Sequence, residues 1–189
     1  ETGRGRGAAI ATWLALAAEL GLTARFELAR DWRLDPVDAG HLAVQKLLLR
    51  LGRSAGYVGT FELSIGRSVP ASSIDVFLRN DRRRRLVVAE AWNVIGDIGA
   101  GARSFERKLA AARELAVAIG GDAPYSVHGV WVVRATRRNR ALVARYPEVF
   151  AARFSGSSHG WAEAIARGAR PPIESGLVWT DLRATRVFA

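Results

Sequence analysis

Asp75 stands in the run Ser73-Ile74-Asp75-Val76-Phe77, and Glu90 in Val88-Ala89-Glu90-Ala91-Trp92. Alternation puts Ser73, Asp75 and Phe77 on one face of a strand, and Val88, Glu90 and Trp92 on one face of the next. Adjacent strands in register then bring the two carboxylates together near the end of a sheet. Paired hard oxygen donors suit Mg²⁺ or Mn²⁺, which polarises a phosphate and lowers the pKa of an attacking water. A positive group, usually lysine, completes such a site by orienting the water and stabilising the developing negative charge. A carboxylate between Ile74 and Val76 is costly to bury unpaired, so Asp75 calls for a functional reason. Glu90 is equally well satisfied by an ion pair with Arg103 or Lys108.

The elements that must position these residues follow from hydrophobic period. Residues 8–20 carry Ile10, Trp13, Leu14, Ala17 and Leu20 at helical spacing, with Gly21 as a stop, and residues 22–28 alternate as a strand. After a loop over 31–38, residues 38–51 read as an amphipathic helix closed by Gly52. Strands are expected over 57–63, 73–79 and 85–92, an antiparallel meander whose connections carry Pro70 and the turn Asn80-Asp81. A long helix over 99–119 follows, with Phe105, Leu109, Ala112, Ala116 and Ile119 as its apolar stripe and Gly120-Gly121 as its end. The remainder predicts a strand over 126–134, a helix over 138–154, a helix over 160–166 and a strand over 176–181. The fold class is therefore α/β, a mixed central sheet in the order α-β-β-β-α-β-α-β flanked by helices.

The 189 residues suffice for one full domain. No run reaches the roughly 18 uninterrupted apolar residues of a membrane span, and residues 8–22 read as a helix rather than a signal peptide. The chain has no cysteine, which excludes disulfides and thiolate metal sites and fits a reducing cytoplasm. A net charge of +10 points to a polyanion partner, because neutralising phosphates releases condensed counterions. Nearly all of that charge is arginine, Lys46 and Lys108 being the only lysines, a bias that GC-rich coding also produces.

Ser72-Ser73-Ile74-Asp75, then Glu90-Ala91-Trp92, then Glu106-Arg107-Lys108 in the following helix together resemble the PD-(D/E)XK nuclease core. More narrowly, the order and spacing resemble actinobacterial proteins that join an Xre/Cro-type helix-turn-helix to such a nuclease-like domain. Residues 176–179, Gly-Leu-Val-Trp, are similar to the closing strand of that pattern. Residues 1–30 are similar to the tail of a helix-turn-helix unit, leaving 31–189 as the nuclease-like domain. The resemblance implies a restriction-endonuclease-like core, with Asp75 and Glu90 holding Mg²⁺ or Mn²⁺ and DNA as partner. Trp92 stands where the family has its lysine, and it carries no charge. In some members of the wider superfamily the lysine migrates to the next helix, which would make Lys108 the third catalytic residue. Otherwise the core is a weakly active or inactive DNA-binding domain, or a protein-interaction or dimerisation module. Gln45 and Lys46 occupy the helix position where some members place an acid.

The remaining candidates each carry two readings. Trp92 is a stacking platform for a base or a buried structural indole. Arg82, Arg83, Arg84 and Arg85 grip phosphates from a hairpin tip, or form a charged turn that protects sheet edges. Arg137, Arg138 and Arg140 lie at a helix start, where backbone amides also attract phosphate, and Arg107 flanks Lys108. Glu62 is a third metal oxygen or an exposed strand residue. His41, His128 and His159 show no metal-ligand spacing and read as structural or surface. P-loop, dinucleotide-binding and nucleophile-elbow motifs are absent.

Overall fold

The computed structural model describes residues 15, 18–21, 36–65 and 72–189. The chain divides into two compact units, Glu1–Leu34 and Asp35–Ala189. Of the first, residues 15, 18 and 19 are helical, and Gly21 closes a turn with φ 63° and an N–H bond to the Ala18 carbonyl at 3.0 Å. The rest of the helix and strand expected over 8–28 lies outside the described residues, as does the Pro70 connection.

The second unit begins with α1 (Pro36–Ser54). It starts two residues earlier than the sequence predicts, because proline lacks the N–H that a first turn leaves unpaired anyway. Next come β1 (Val58–Ile65), β2 (Ser72–Asn80) and β3 (Arg85–Trp92). They pair antiparallel in the expected meander. Helix α2 (Ile98–Gly120) is capped by Asp97, whose carboxylate accepts from the Ala100 N–H at 2.9 Å. It crosses over to β4 (Ser126–Arg134), which pairs parallel with β3. Helices α3 (Arg137–Arg145), α4 (Pro147–Arg153) and α5 (Ser158–Arg167) precede β5 (Gly176–Thr180), parallel to β4, and β6 (Val187–Phe188), antiparallel to β5. The described sheet has six strands in sequential order β1 to β6. It is mixed, as expected. No described helix is long and apolar enough to cross a membrane.

Two expectations need correction. The single helix over 138–154 is two helices, broken at Tyr146 (φ −127°, ψ 53°) ahead of Pro147. Proline disfavours helical backbone in the residue before it and lacks the N–H that would continue the ladder. The break lets Phe154 pack 4.7 Å from Trp131. Strand β6 was not expected at all, since two residues carry no period. A side chain makes it: Asp181 accepts from the N–H groups of Thr185 and Arg186 at 2.6 and 3.0 Å and turns the chain back.

Apolar residues cover both faces of the sheet. Val76, Leu78, Val87, Ala89, Val130, Val132 and Val178 pack with Val44 and Leu48 of α1 and Trp161 and Ile165 of α5. Phe77, Leu86, Val88, Trp131 and Val133 pack with Phe105 and Leu109 of α2 and with Phe150 and Phe154. Central strands clothed on both sides read as near-continuous hydrophobic runs, and residues 86–91 of β3 are all buried. Glu90 is the charged residue within that run.

Candidate functional site

The β2–β3 register pairs Val76 with Ala89 and Phe77 with Val88. Extended by one residue, it sets Asp75 opposite Glu90. At that point the ladder opens and the Asp75 side chain takes over, its Oδ2 accepting from the Ala91 N–H at 2.8 Å. On the other flank of β2, Phe61 pairs with Val76 and Leu63 with Ile74, so Glu62 is the residue across from Asp75. Glu62 has φ 46°, left-handed backbone that costs a non-glycine residue about 1–3 kcal/mol. Strand β2 is irregular at the same level. Ile74 and Phe77, three residues apart, join the same core cluster, while Val76 joins the other. Strict alternation is therefore interrupted at Asp75, which the sequence pattern did not anticipate. The Glu62 side chain is exposed and does not line the site.

Lys108 comes from α2, about three turns beyond its start. Its Nζ donates to Glu90 Oε2 at 2.5 Å, and both side chains are almost wholly buried, 8% and 7% exposed. The other carboxylate oxygen, Oε1, is buried without a hydrogen-bond partner. Burial, aided by the Asp75 charge, pushes the Glu90 carboxyl up to about 7 against the opposing pull of Lys108. The ion-pair partner of Glu90 is Lys108 and not Arg103.

Asp75, Glu90 and Lys108 share an open cleft of about 380 Å³, walled in addition by His41, Trp92 and Ser104. His41, which shows no metal-ligand spacing in the sequence, lines the cleft. It stands on α1, one turn before Gln45, and its Nε2 lies 3.7 Å from Asp75 Oδ2. Gln45 is fully buried and its amide approaches the Asp75 carbonyl at 3.5 Å. The signal was the four-residue spacing of His41 and Gln45, which places both on one helix face. What that face meets is visible only in three dimensions.

Trp92 fills the position where the resembled family has lysine. It is half-buried, with its ring centroid 4.6 Å from that of Trp131. Gly101 of α2 lies against it: a Cβ there would come within 2.9 Å of Trp92 Cη2 and 3.1 Å of Trp131 Cη2. Gly101 thus serves close packing in the first turn of α2.

The arginines divide by location. Arg82 to Arg85 lie at the start of β3, roughly 20 Å along the strand from Trp92 at 3.3 Å per residue. Arg83 donates to the Gly168 carbonyl behind α5. Arg84 donates to Gly120 and Ala123 carbonyls behind α2 and stacks 4.6 Å over Tyr125. These two tie the hairpin to helix ends. Arg137, Arg138 and Arg140 are exposed on α3, just past the end of β4 that neighbours Trp92, so they share the cleft's end of the sheet. Arg140 lies over Trp179 and Phe188, 5.2 and 5.9 Å from their ring centres. Arg107 is exposed beside Lys108. His128 is held by the Pro172 carbonyl and Ser126 Oγ at 2.8 and 3.0 Å, and burial lowers its pKa. His159 is exposed.

Among the described residues no group of three or more His, Cys, Asp or Glu side chains is placed to hold a metal ion. That disfavours an all-protein cage of the kind calcium or structural zinc takes. Mg²⁺ keeps several waters and is commonly held by one or two carboxylates plus substrate phosphate oxygens. Asp75 and the unpartnered Oε1 of Glu90 fit that donor set. No protein-family model, curated protein or solved structure matches the chain.

Proposed function

We propose that this protein is a DNA-binding phosphodiesterase with a PD-(D/E)XK-like core, using Mg²⁺ or Mn²⁺ and a lysine relocated to the following helix. One observation carries the reading: Asp75 and Glu90 meet across β2 and β3, and Lys108 reaches Glu90 from α2 within one cleft. Asp75 and Glu90 would hold the cation, which when bound supplies charge to polarise the phosphate and acidify the attacking water. The reaction adds water across a P–O bond: the water oxygen joins phosphorus, and the departing ester oxygen takes up a proton. The Lys108 ammonium supplies fixed positive charge where the phosphoryl oxygens become more negative. The exposed arginines of α3 and Arg107 lie where they can take flanking phosphates. A charge of +10 favours that contact.

A second reading is supported by the closeness of the Glu90–Lys108 pair, in which the buried carboxylate already has its counter-charge. The core then binds DNA without cutting it. Labelled DNA incubated with Mg²⁺ or Mn²⁺ separates the two. Cutting that disappears in both Asp75→Ala and Lys108→Ala supports hydrolysis. No cutting by the native protein, with DNA affinity unchanged in both variants, leaves a binding domain.

A further inference from the structure

The groups that would act on phosphate are recessed. Glu90 is 5% exposed and Lys108 7%, so a phosphate must enter the cleft to reach them. The cleft's volume of about 380 Å³ lies at the low end of the 300–1,000 Å³ typical of pockets for single small molecules. A duplex presents its phosphates on a stiff cylinder, with a persistence length of about 150 bp, and cannot fold into such a space. An unpaired strand can.

The wall beside the recessed groups is aromatic. Trp92 lines the cleft next to Glu90 and Lys108. Trp131 and Gly101 back the indole and hold its orientation, Trp131 at a centroid distance of 4.6 Å. A rigidly held indole offers a π-face to any base, without regard to sequence. Ser104 and His41 on the surrounding walls supply hydrogen-bonding groups of the kind that fix a sugar or phosphate. We infer that Trp92 is a stacking platform for an unpaired base, and that the cleft admits one nucleotide of a single-stranded or frayed DNA strand. The inference takes its placement of the phosphate from the proposed hydrolysis, but the base contact is independent of turnover.

The test is binding in the presence of a chelator, so that cleavage plays no part. Fluorescence anisotropy compares labelled oligothymidylate, an abasic strand of the same length and charge, and a blunt duplex of that length. Oligothymidylate should bind the native protein about tenfold more tightly than the abasic strand, the lower part of the range for one stacked base. It should also bind more tightly than the duplex, although the duplex carries twice the charge. Trp92→Leu should erase the preference over the abasic strand, and Trp92→Phe should keep most of it. Equal affinity of the native protein for the abasic strand and oligothymidylate overturns the platform even if Trp92→Leu fails to fold. So does tighter binding of the duplex. Neither result bears on the proposed hydrolysis, which the cleavage assay decides.

Discussion

Lys108 Nζ and Glu90 Oε2 lie 2.5 Å apart across 18 residues of sequence, joining the first helix after the meander to the strand beneath it. The pair is buried, which makes the loss of one partner costlier than the replacement of both. Removing a partner from a buried ion pair leaves a charge with nowhere to go, whereas replacing both partners by apolar groups is often neutral.

Lys108→Met should therefore destabilise the protein by about 3 kcal/mol at pH 8. The cost should shrink at pH 6, where Glu90, whose pKa of about 7 is already raised, can take up a proton and become neutral. Urea denaturation at the two pH values measures this. A loss that is the same at both would mean that Glu90 does not titrate in this range.

Glu90 also sets a pH slope in the native protein. Its folded pKa of about 7 exceeds the ordinary 4.5, so between these values the folded state holds a proton that the unfolded chain releases. Stability from this group is full below about 4.5 and declines as pH rises through about 7, by at most about 3 kcal/mol. Glu90→Gln should flatten the slope. A difference between variant and native stability that stays constant from pH 5 to pH 8 would contradict it.

Gly101 is required by Trp92. Gly101→Val should destabilise by about 1–3 kcal/mol through overpacking, since even a Cβ meets both indoles at about 3 Å. Combined with Trp92→Leu, which removes one of them, the substitution should cost less than it does alone. A double-mutant cycle by thermal denaturation gives the coupling, and strict additivity would show that the two do not press on each other.

Asn139 is fully buried and ties the loop after β3 to the start of α3. It accepts from the Ile95 N–H at 3.0 Å and donates to the carbonyls of Asn93 and Arg134 at 3.0 and 2.8 Å. Asn139→Ala should cost about 1–3 kcal/mol, since it removes the side-chain acceptor of the buried Ile95 N–H. It should also speed amide exchange at Ile95. Unchanged exchange there would show that the loop is held by other contacts.

Period and turn chemistry alone determined most of this fold. The meander, the long helix and the strand that follows are legible because the helix repeats its apolar positions at 3.6 residues and ends at Gly120-Gly121, the turn Asn80-Asp81 separates two strands, and the central strands are short, nearly continuous apolar runs. The facing of Asp75 and Glu90 was legible too, since antiparallel register follows from the short turn between their strands. Tertiary structure alone decided what period cannot encode. Lys108 has the spacing of many solvated helix residues, and only the packing of α2 on β3 turns it onto Glu90. His41 becomes part of the cleft because α1 crosses β2 at Asp75. The slip of alternation at Asp75 lies across from the left-handed backbone of Glu62, on a different strand. Arg83 and Arg84 look like free charge in the sequence, yet the carbonyl ends of two helices bring them into structural bonds. Sequence determines which surface an element can bury, whereas side-chain partners depend on which elements come to lie against it.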